Sequence, residues 1–349
     1  MNSPIKKSVK NNSAQTHNTE IDSADRLVFE SCIGTAAELH ANTASQNGLK
    51  TKPVVRTGYG ISLEATFECG QCFRWQRGNF DLLTQHETGT KSIGSDICPN
   101  TNTNGGKITE FYQGIVCGFP AFVWRDGDSI WVRGRGTVEF WRDYFDLGRD
   151  YDEILSQFDP HPFTQTAIEY GHGLRVLRQD AWEMLGSYII SQNNNIPKIS
   201  SSIYKICSLF GERIEFGGFE FYSFPSAAVI AELREPNLRQ AGLGYRSEYL
   251  ISAAGAVVEG KIKLDELKML ATDEAREKLL QLRGVGPKVA NCVLLFGFGK
   301  LDAFPIDTWI ARAAKYYDNN LNAARFGKYA GIAQEYIFYY IRKGLYRSR

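Results

Sequence analysis

No apolar run in this chain of 349 residues approaches the ~20 needed to cross a bilayer. The opening segment "MNSPIKKSVKNNSAQTHNTE" has no apolar core, so it does not read as a secretory signal. The expectation is an intracellular protein with reduced thiols and no membrane partner, in the cytoplasm or nucleoid of a bacterium or the nucleus of a eukaryote. A Gly-x4-Gly-Lys-Ser/Thr loop is absent, which sets aside the P-loop nucleotide enzymes. Cysteine is scattered, and the one Cys-x-x-Cys pair, "CGQC" at 69–72, has no second pair to complete a zinc site. It lies in strand-like sequence rather than at a helix start in a βαβ unit, which disfavours thiol redox chemistry as well. No metal and no cofactor are expected.

Neither sign of charge dominates, with a net charge of +1, but the distribution is uneven. Residues 171–349 carry 24 Lys+Arg against 18 Asp+Glu, leaving 16 against 21 for residues 1–170. A basic C-terminal half suits an anionic partner such as nucleic acid, although many helical domains are modestly basic without one.

The chain divides into three parts by pattern. Residues 1–56 are rich in Asn, Ser and Thr and poor in apolar periodicity, which predicts a disordered tail. Residues 57–137 read as an antiparallel β-sheet domain. "ISLEATF" alternates, "FRWQ" and "ITEFYQGIVCGFPAFVW" are rich in β formers, and "RDGDS" reads as a hairpin turn. A polar stretch at 81–107 reads as a loop insertion. From residue 138 to 349 the period becomes helical, and "QDAWEMLGSYIISQ", "NIPKISSSIYKICSLFG", "KVANCVLLFGFG" and "YAGIAQEYIFYYIRK" are among the expected helices. The fold class is α+β, a small sheet domain followed by a larger all-α domain.

"LRGVGPKVANC" is the most informative stretch. Gly284, Val285 and Gly286 make a tight turn, and Pro287 suits the first position of a new helix. Two glycines let the main chain approach a ligand, and free N–H groups at the helix start suit a phosphate. An ordinary αα turn remains the plain alternative. Lys288 sits in the first turn, where the helix dipole disfavours its charge and favours a nucleophilic amine; a solvated or phosphate-contacting lysine is the alternative. Asp307, nineteen residues on, precedes "TWIARAAK" and is a natural N-cap, held rigidly enough to stabilise a developing cation.

"LRGVGPKVANC…DAFPIDTW" resembles the helix-hairpin-helix–Gly-Pro-Asp DNA glycosylases. "GLRVLRQDAWEMLGSYIISQNNNIPKI", "LGYR" and "ECGQCFRW" narrow the resemblance to the 8-oxoguanine DNA glycosylase/AP lyase branch, over about residues 57 to 349. The resemblance implies a monomer acting on damaged double-stranded DNA. Lys288 would attack the anomeric carbon and form a Schiff base that allows β-elimination, and Asp307 would stabilise the oxocarbenium-like charge. Gly70, Cys292, Gln334 and Phe338 would line the pocket for a flipped base. The Gly70 carbonyl would accept the N7–H that 8-oxoguanine has and guanine lacks. Phe338 would stack on the base, Gln334 would bond its Watson–Crick edge, and Cys292 would form the opposite wall.

On the DNA side, Asn193 would fill the gap left by the base, supported by Asn194 and Asn195. Tyr245 would wedge between bases and Arg246 would touch phosphate. Lys198 stands where vertebrate members carry an arginine that reads the opposite cytosine. Trp309 replaces a histidine common in the family and would be a DNA contact made differently. The last cysteine is Cys292, so the C-terminal four-cysteine cluster of iron–sulphur relatives cannot form. Two other functions stay open at this point: a glycosylase for another damaged base, such as an alkylated purine or oxidised pyrimidine, or a non-catalytic helix-hairpin-helix DNA-binding module.

Overall fold

The computed structural model describes residues 52–56, 60–78, 110–126 and 129–345. The expected insertion at 81–107 and most of the expected tail lie outside these residues. A five-stranded antiparallel sheet has the order β1-β5-β4-β3-β2, with β1 Lys52–Arg56, β2 Gln76–Arg77, β3 Glu110–Val116, β4 Phe119–Asp126 and β5 Ser129–Gly134. The expected hairpin joins β4 to β5, with Asp126 paired to Ser129.

The central strand explains the apolar run "FPAFVW". Alternate residues face opposite sides of the sheet, and both sides are covered. Tyr112, Val123 and Val132 pack with Trp141, Tyr144 and Phe145 of the helix Val138–Tyr144 and its cap. On the other face, Phe111, Phe122 and Trp124 meet Phe216, Phe219 and Phe221. Those three belong to a second hairpin, β6 Arg213–Phe216 and β7 Phe219–Tyr222. Phe122 sits at its centre, with its ring centroid 5.1 Å from that of Phe216.

Two sequence expectations need correction. The C-terminal part of the presumed tail, residues 52–56, is β1, an edge strand that tolerates Pro53 because the ladder there is interrupted by a bulge. "ISLEATF" contributes a helix, Leu63–Glu68, not a strand. Ser62 caps it by accepting from the Ala65 N–H at 3.0 Å, and Leu, Glu and Ala are good helix formers. Over so short a stretch, alternation and one helical turn look alike. The fold class is as expected, a small antiparallel sheet followed by a helical part, and the helical part carries the β6–β7 hairpin. Residues Leu49–Arg349 form one compact unit.

The helical portion builds one large core around Leu185, Ile189, Val293, Leu294, Ile332 and Ile337. Those side chains come from three helices, Ala181–Ser191, Pro287–Phe298 and Ala330–Tyr339. They are almost wholly apolar because they are buried on several sides. Among the described residues no helix is long and apolar enough to cross a membrane.

Candidate active site

The helix Thr272–Leu280 is followed by the glycine turn, and the next helix starts at Pro287. Gly284 has φ +80°, and a β-carbon there would lie 2.3 Å from the Tyr249 ring. Glycine is therefore required at 284 on two counts. Gly286 is the N-cap, no side chain caps the helix, and a β-carbon at 286 would meet nothing within 4 Å. The first-turn N–H groups thus keep the outward-facing character of an anion site. Val285 is different: its side chain is in the core, and its N–H donates to the Leu282 carbonyl at 3.0 Å. Val285, expected among the DNA contacts, uses its side chain and N–H to hold the turn itself.

Lys288 projects from the first turn and is half-buried. Its Nζ donates to Ser191 Oγ at 3.3 Å and lies 4.9 Å from the centre of the Tyr188 ring. Asp307 caps the helix Thr308–Ala313 through one oxygen, Oδ1, which accepts from the N–H groups of Trp309 (2.9 Å) and Ile310 (2.8 Å). Capping therefore leaves Oδ2 uncommitted. Lys288 and Asp307 open onto one cavity of about 40 Å³. Gly70, Cys292, Gln334 and Phe338 line the same cavity. Six residues spread from 70 to 338 in sequence, expected as catalytic or base-pocket groups, thus converge in space.

The "CGQC" turn reaches the cavity through Gly70, whose φ is +114°. A β-carbon there would lie 3.0 Å from Phe338 Cε1 and 3.1 Å from Ile196 Cδ1. The flanking cysteines are packing groups, with Cys69 in the helical core and Cys72 in the sheet core. Burial pushes both thiols up, so both stay protonated. Gln71 is the anchor of the turn. Its Nε2 donates to the carbonyls of Thr66 (2.9 Å) and Arg175 (2.7 Å), and its Oε1 accepts from the Leu177 N–H at 2.7 Å. Burial also pushes the Cys292 thiol up to about 11, opposed by the nearby Lys288 charge. Cys292 therefore presents a neutral, polarisable wall.

Gln71, Tyr188, Ser191 and Glu335 escaped the sequence reading. A signal existed for Glu335, the one charge within the apolar stretch "GIAQEYIFYY". Gln71 gave none, because a glutamine between cysteines reads as a surface turn until its burial is known.

The expected DNA-facing residues lie outside the cavity lining. Asn193 is exposed in a left-handed conformation, φ +47°. Asn194 Oδ1 accepts from the Asn195 N–H, and Asn195 caps the helix Ile196–Phe210 by accepting from the Lys198 N–H, both at 3.0 Å. Lys198 is exposed. Tyr245 is 47% exposed, so it is not a core tyrosine, and its ring meets Tyr249 edge-on at 5.7 Å. Arg246, by contrast, is only 8% exposed. It donates to the carbonyls of Gln192 (2.7 Å), Asn193 (3.0 Å) and Leu243 (3.1 Å). Arg246, expected at a phosphate, here ties the Asn193 loop to the Tyr245 turn. Trp309 is half-buried against the core, with the Arg312 guanidinium 4.8 Å above its ring.

Two family models match the chain. Residues 54–185 match the N-terminal domain of 8-oxoguanine DNA glycosylase, and residues 187–324 match the HhH-GPD superfamily of base excision DNA repair proteins. A probable N-glycosylase/DNA lyase of Methanothermobacter thermautotrophicus is 31% identical over 307 residues, which span 76% of this chain and 95% of that protein. The N-glycosylase/DNA lyase of Saccharomyces cerevisiae is 37% identical over 271 residues, 73% of this chain and 68% of that protein. Among solved structures, the Clostridium acetobutylicum 8-oxoguanine glycosylase/lyase bound to double-stranded DNA with cytosine opposite 8-oxoguanine superposes with a TM-score of 0.70. It is 32% identical and covers 82% of this chain and 93% of that one.

Proposed function

This chain belongs to the 8-oxoguanine N-glycosylase/DNA lyase family of the HhH-GPD superfamily, and on that premise we propose how its residues remove 8-oxoguanine from duplex DNA. The observation that carries the proposal is the convergence of Lys288 and Asp307 on the cavity that also holds Gly70, Cys292, Gln334 and Phe338. A DNA-binding module needs the glycine turn but not a lysine and a carboxylate facing a buried cavity.

The target base must leave the stack to reach Lys288. Asn193 and Tyr245, exposed on two loops joined by Arg246, are placed to occupy and wedge the vacated step. The uncapped turn at Gly284–Gly286 binds a backbone phosphate. The base then enters between Cys292 and Phe338. Phe338 now rests on Gly70, so its ring must swing aside to admit a purine. The Gly70 carbonyl has no donor among the described residues and is free to accept the N7–H of 8-oxoguanine. The buried Oε1 of Gln334 is likewise without a partner and suits a donor on the Watson–Crick edge.

Chemistry follows from the charges. As the C1′–N9 bond lengthens, positive charge grows on the sugar, and the Asp307 carboxylate stabilises it. The Lys288 amine attacks C1′, the base departs, and the sugar ring opens to a Schiff base. Loss of a proton from C2′ then expels the 3′ phosphate, which is the lyase step. No step in this sequence calls for a metal.

The substrate is tested with duplexes bearing 8-oxoguanine, an alkylated purine or an oxidised pyrimidine under single-turnover conditions. Cleavage should be fastest at 8-oxoguanine. Excision confined to either of the other lesions would contradict the substrate while leaving the lysine chemistry in place.

A further inference from the structure

Glu335 lies next to Gln334 on the helix Ala330–Tyr339, and only 3% of its surface is exposed. Its carboxyl lines the same cavity as Lys288 and Asp307. It makes no ion pair among the described residues, and its Oε2 is buried without a hydrogen-bond partner. A buried carboxylate without a partner is costly, and structures keep such a group where it has a task.

Its surroundings restrict that task. Cys69, in the turn beside Gly70, is a neighbour whose thiol donates to the Thr66 carbonyl at 3.3 Å, with Cys72 two residues beyond the glycine. Both are neutral thiols. Arg342 stands on the continuation of its own helix and already donates to the Cys69 carbonyl at 2.9 Å. Lys288 and Cys292 face it from the Pro287–Phe298 helix, Asp307 from the start of the next helix, and Tyr188 from Ala181–Ser191. Burial, opposed by the nearby Cys69 thiol and the Arg342 charge, pushes its carboxyl up from 4.5 to about 7, with Asp307 adding repulsion and Lys288 attraction. Such a group can both take and give a proton at neutral pH.

Resting on the glycosylase reading above, we propose that Glu335 is the proton store of the base pocket. Its carboxylate accepts the proton that the Lys288 ammonium must shed before attack. When the C1′–N9 bond breaks and the base leaves with the bonding pair, the carboxylic acid returns that proton to the base. The base departs neutral, Glu335 is a carboxylate again, and the charge passes to the new C1′–N bond on Lys288. Atoms and charge balance without a further reactant. Asp307, bonded through Oδ1 to two backbone N–H groups, serves the sugar cation instead.

Single-turnover excision of 8-oxoguanine measured between pH 5.5 and 9 tests this. The wild-type rate should fall below about pH 7, where the carboxylate is lost. Glu335→Gln should lose that limb and excise about 100-fold more slowly at its plateau. Its borohydride trapping on a preformed abasic site, where the lysine must lose its proton but no base must gain one, should fall less than its excision does. Glu335→Asp, one methylene shorter, should retain a titrating limb.

Glutamine removes a buried ionisable group, so the variant should fold. Wild type loses stability as pH rises from 4.5 through about 7, because its folded carboxyl prefers the proton, and Glu335→Gln should not. A flat wild-type profile across pH 6–8, a limb that persists in Glu335→Gln, or a rate within about threefold of wild type would each overturn the proposal. Trapping that persists in Lys288→Gln would instead overturn the catalytic reading itself.

Discussion

The ring of Phe338 rests on the main chain of Gly70, with Cε1 3.0 Å from where a β-carbon would sit. Gly70 is also at φ +114°, which only glycine adopts without strain. Gly70→Ala should therefore cost about 1–3 kcal/mol of stability and block entry of the base. Excision of 8-oxoguanine should drop at least tenfold, while trapping on a preformed abasic site, which needs no base pocket, should survive. Equal loss in both assays would place Gly70 in the scaffold only.

Asp307 has two duties that separate by substitution. Asp307→Asn keeps an N-cap acceptor, so its melting temperature should stay close to wild type while excision slows by about 100-fold or more. Asp307→Ala should lose the same activity and a further ~1 kcal/mol of stability. A low melting temperature in Asp307→Asn would assign the residue to the fold alone.

Arg246 donates to three backbone carbonyls and is nearly sealed from solvent. Removing it leaves those carbonyls without their charged donor, so Arg246→Ala should cost about 3 kcal/mol. DNA affinity should weaken as the Asn193 loop loosens, but the salt dependence should keep its slope, because no phosphate contact is lost. A slope lower by about one unit would mean that the guanidinium reaches the backbone after all.

These cases mark what the sequence could and could not tell. The helix start at Lys288, the Asp307 cap and the positive-φ turn at Gly284 were legible because each depends on local pattern. The bracing roles of Arg246 and Val285 were missed for a common reason. Sequence places a residue beside a functional loop but does not say whether its groups face outward or brace the loop from within. The helix Leu63–Glu68 was missed because six residues cannot separate two periods, and the β6–β7 hairpin because its aromatics make sense only against Phe122 on a distant strand. The "CGQC" thiols divide between two cores, which no local pattern encodes.

Lys198 is exposed in the first turn of the Ile196–Phe210 helix, just after the loop that carries Asn193. A point-charge ammonium reads a base edge less sharply than a planar guanidinium. Lys198→Arg should raise the preference for cytosine over adenine opposite the lesion by about tenfold or more, within the ~1–3 kcal/mol of a good base contact. Unchanged ratios across the four opposite bases would remove Lys198 from the specificity surface.

The central claim is that Lys288 forms a covalent bond with the sugar. Borohydride reduction during incubation with 8-oxoguanine duplex should yield a stable protein–DNA crosslink in wild type and none in Lys288→Gln. The variant should still bind the duplex, because the main-chain N–H groups of the Gly284–Gly286 turn remain. No crosslink in wild type, or an undiminished crosslink in Lys288→Gln, would contradict the account.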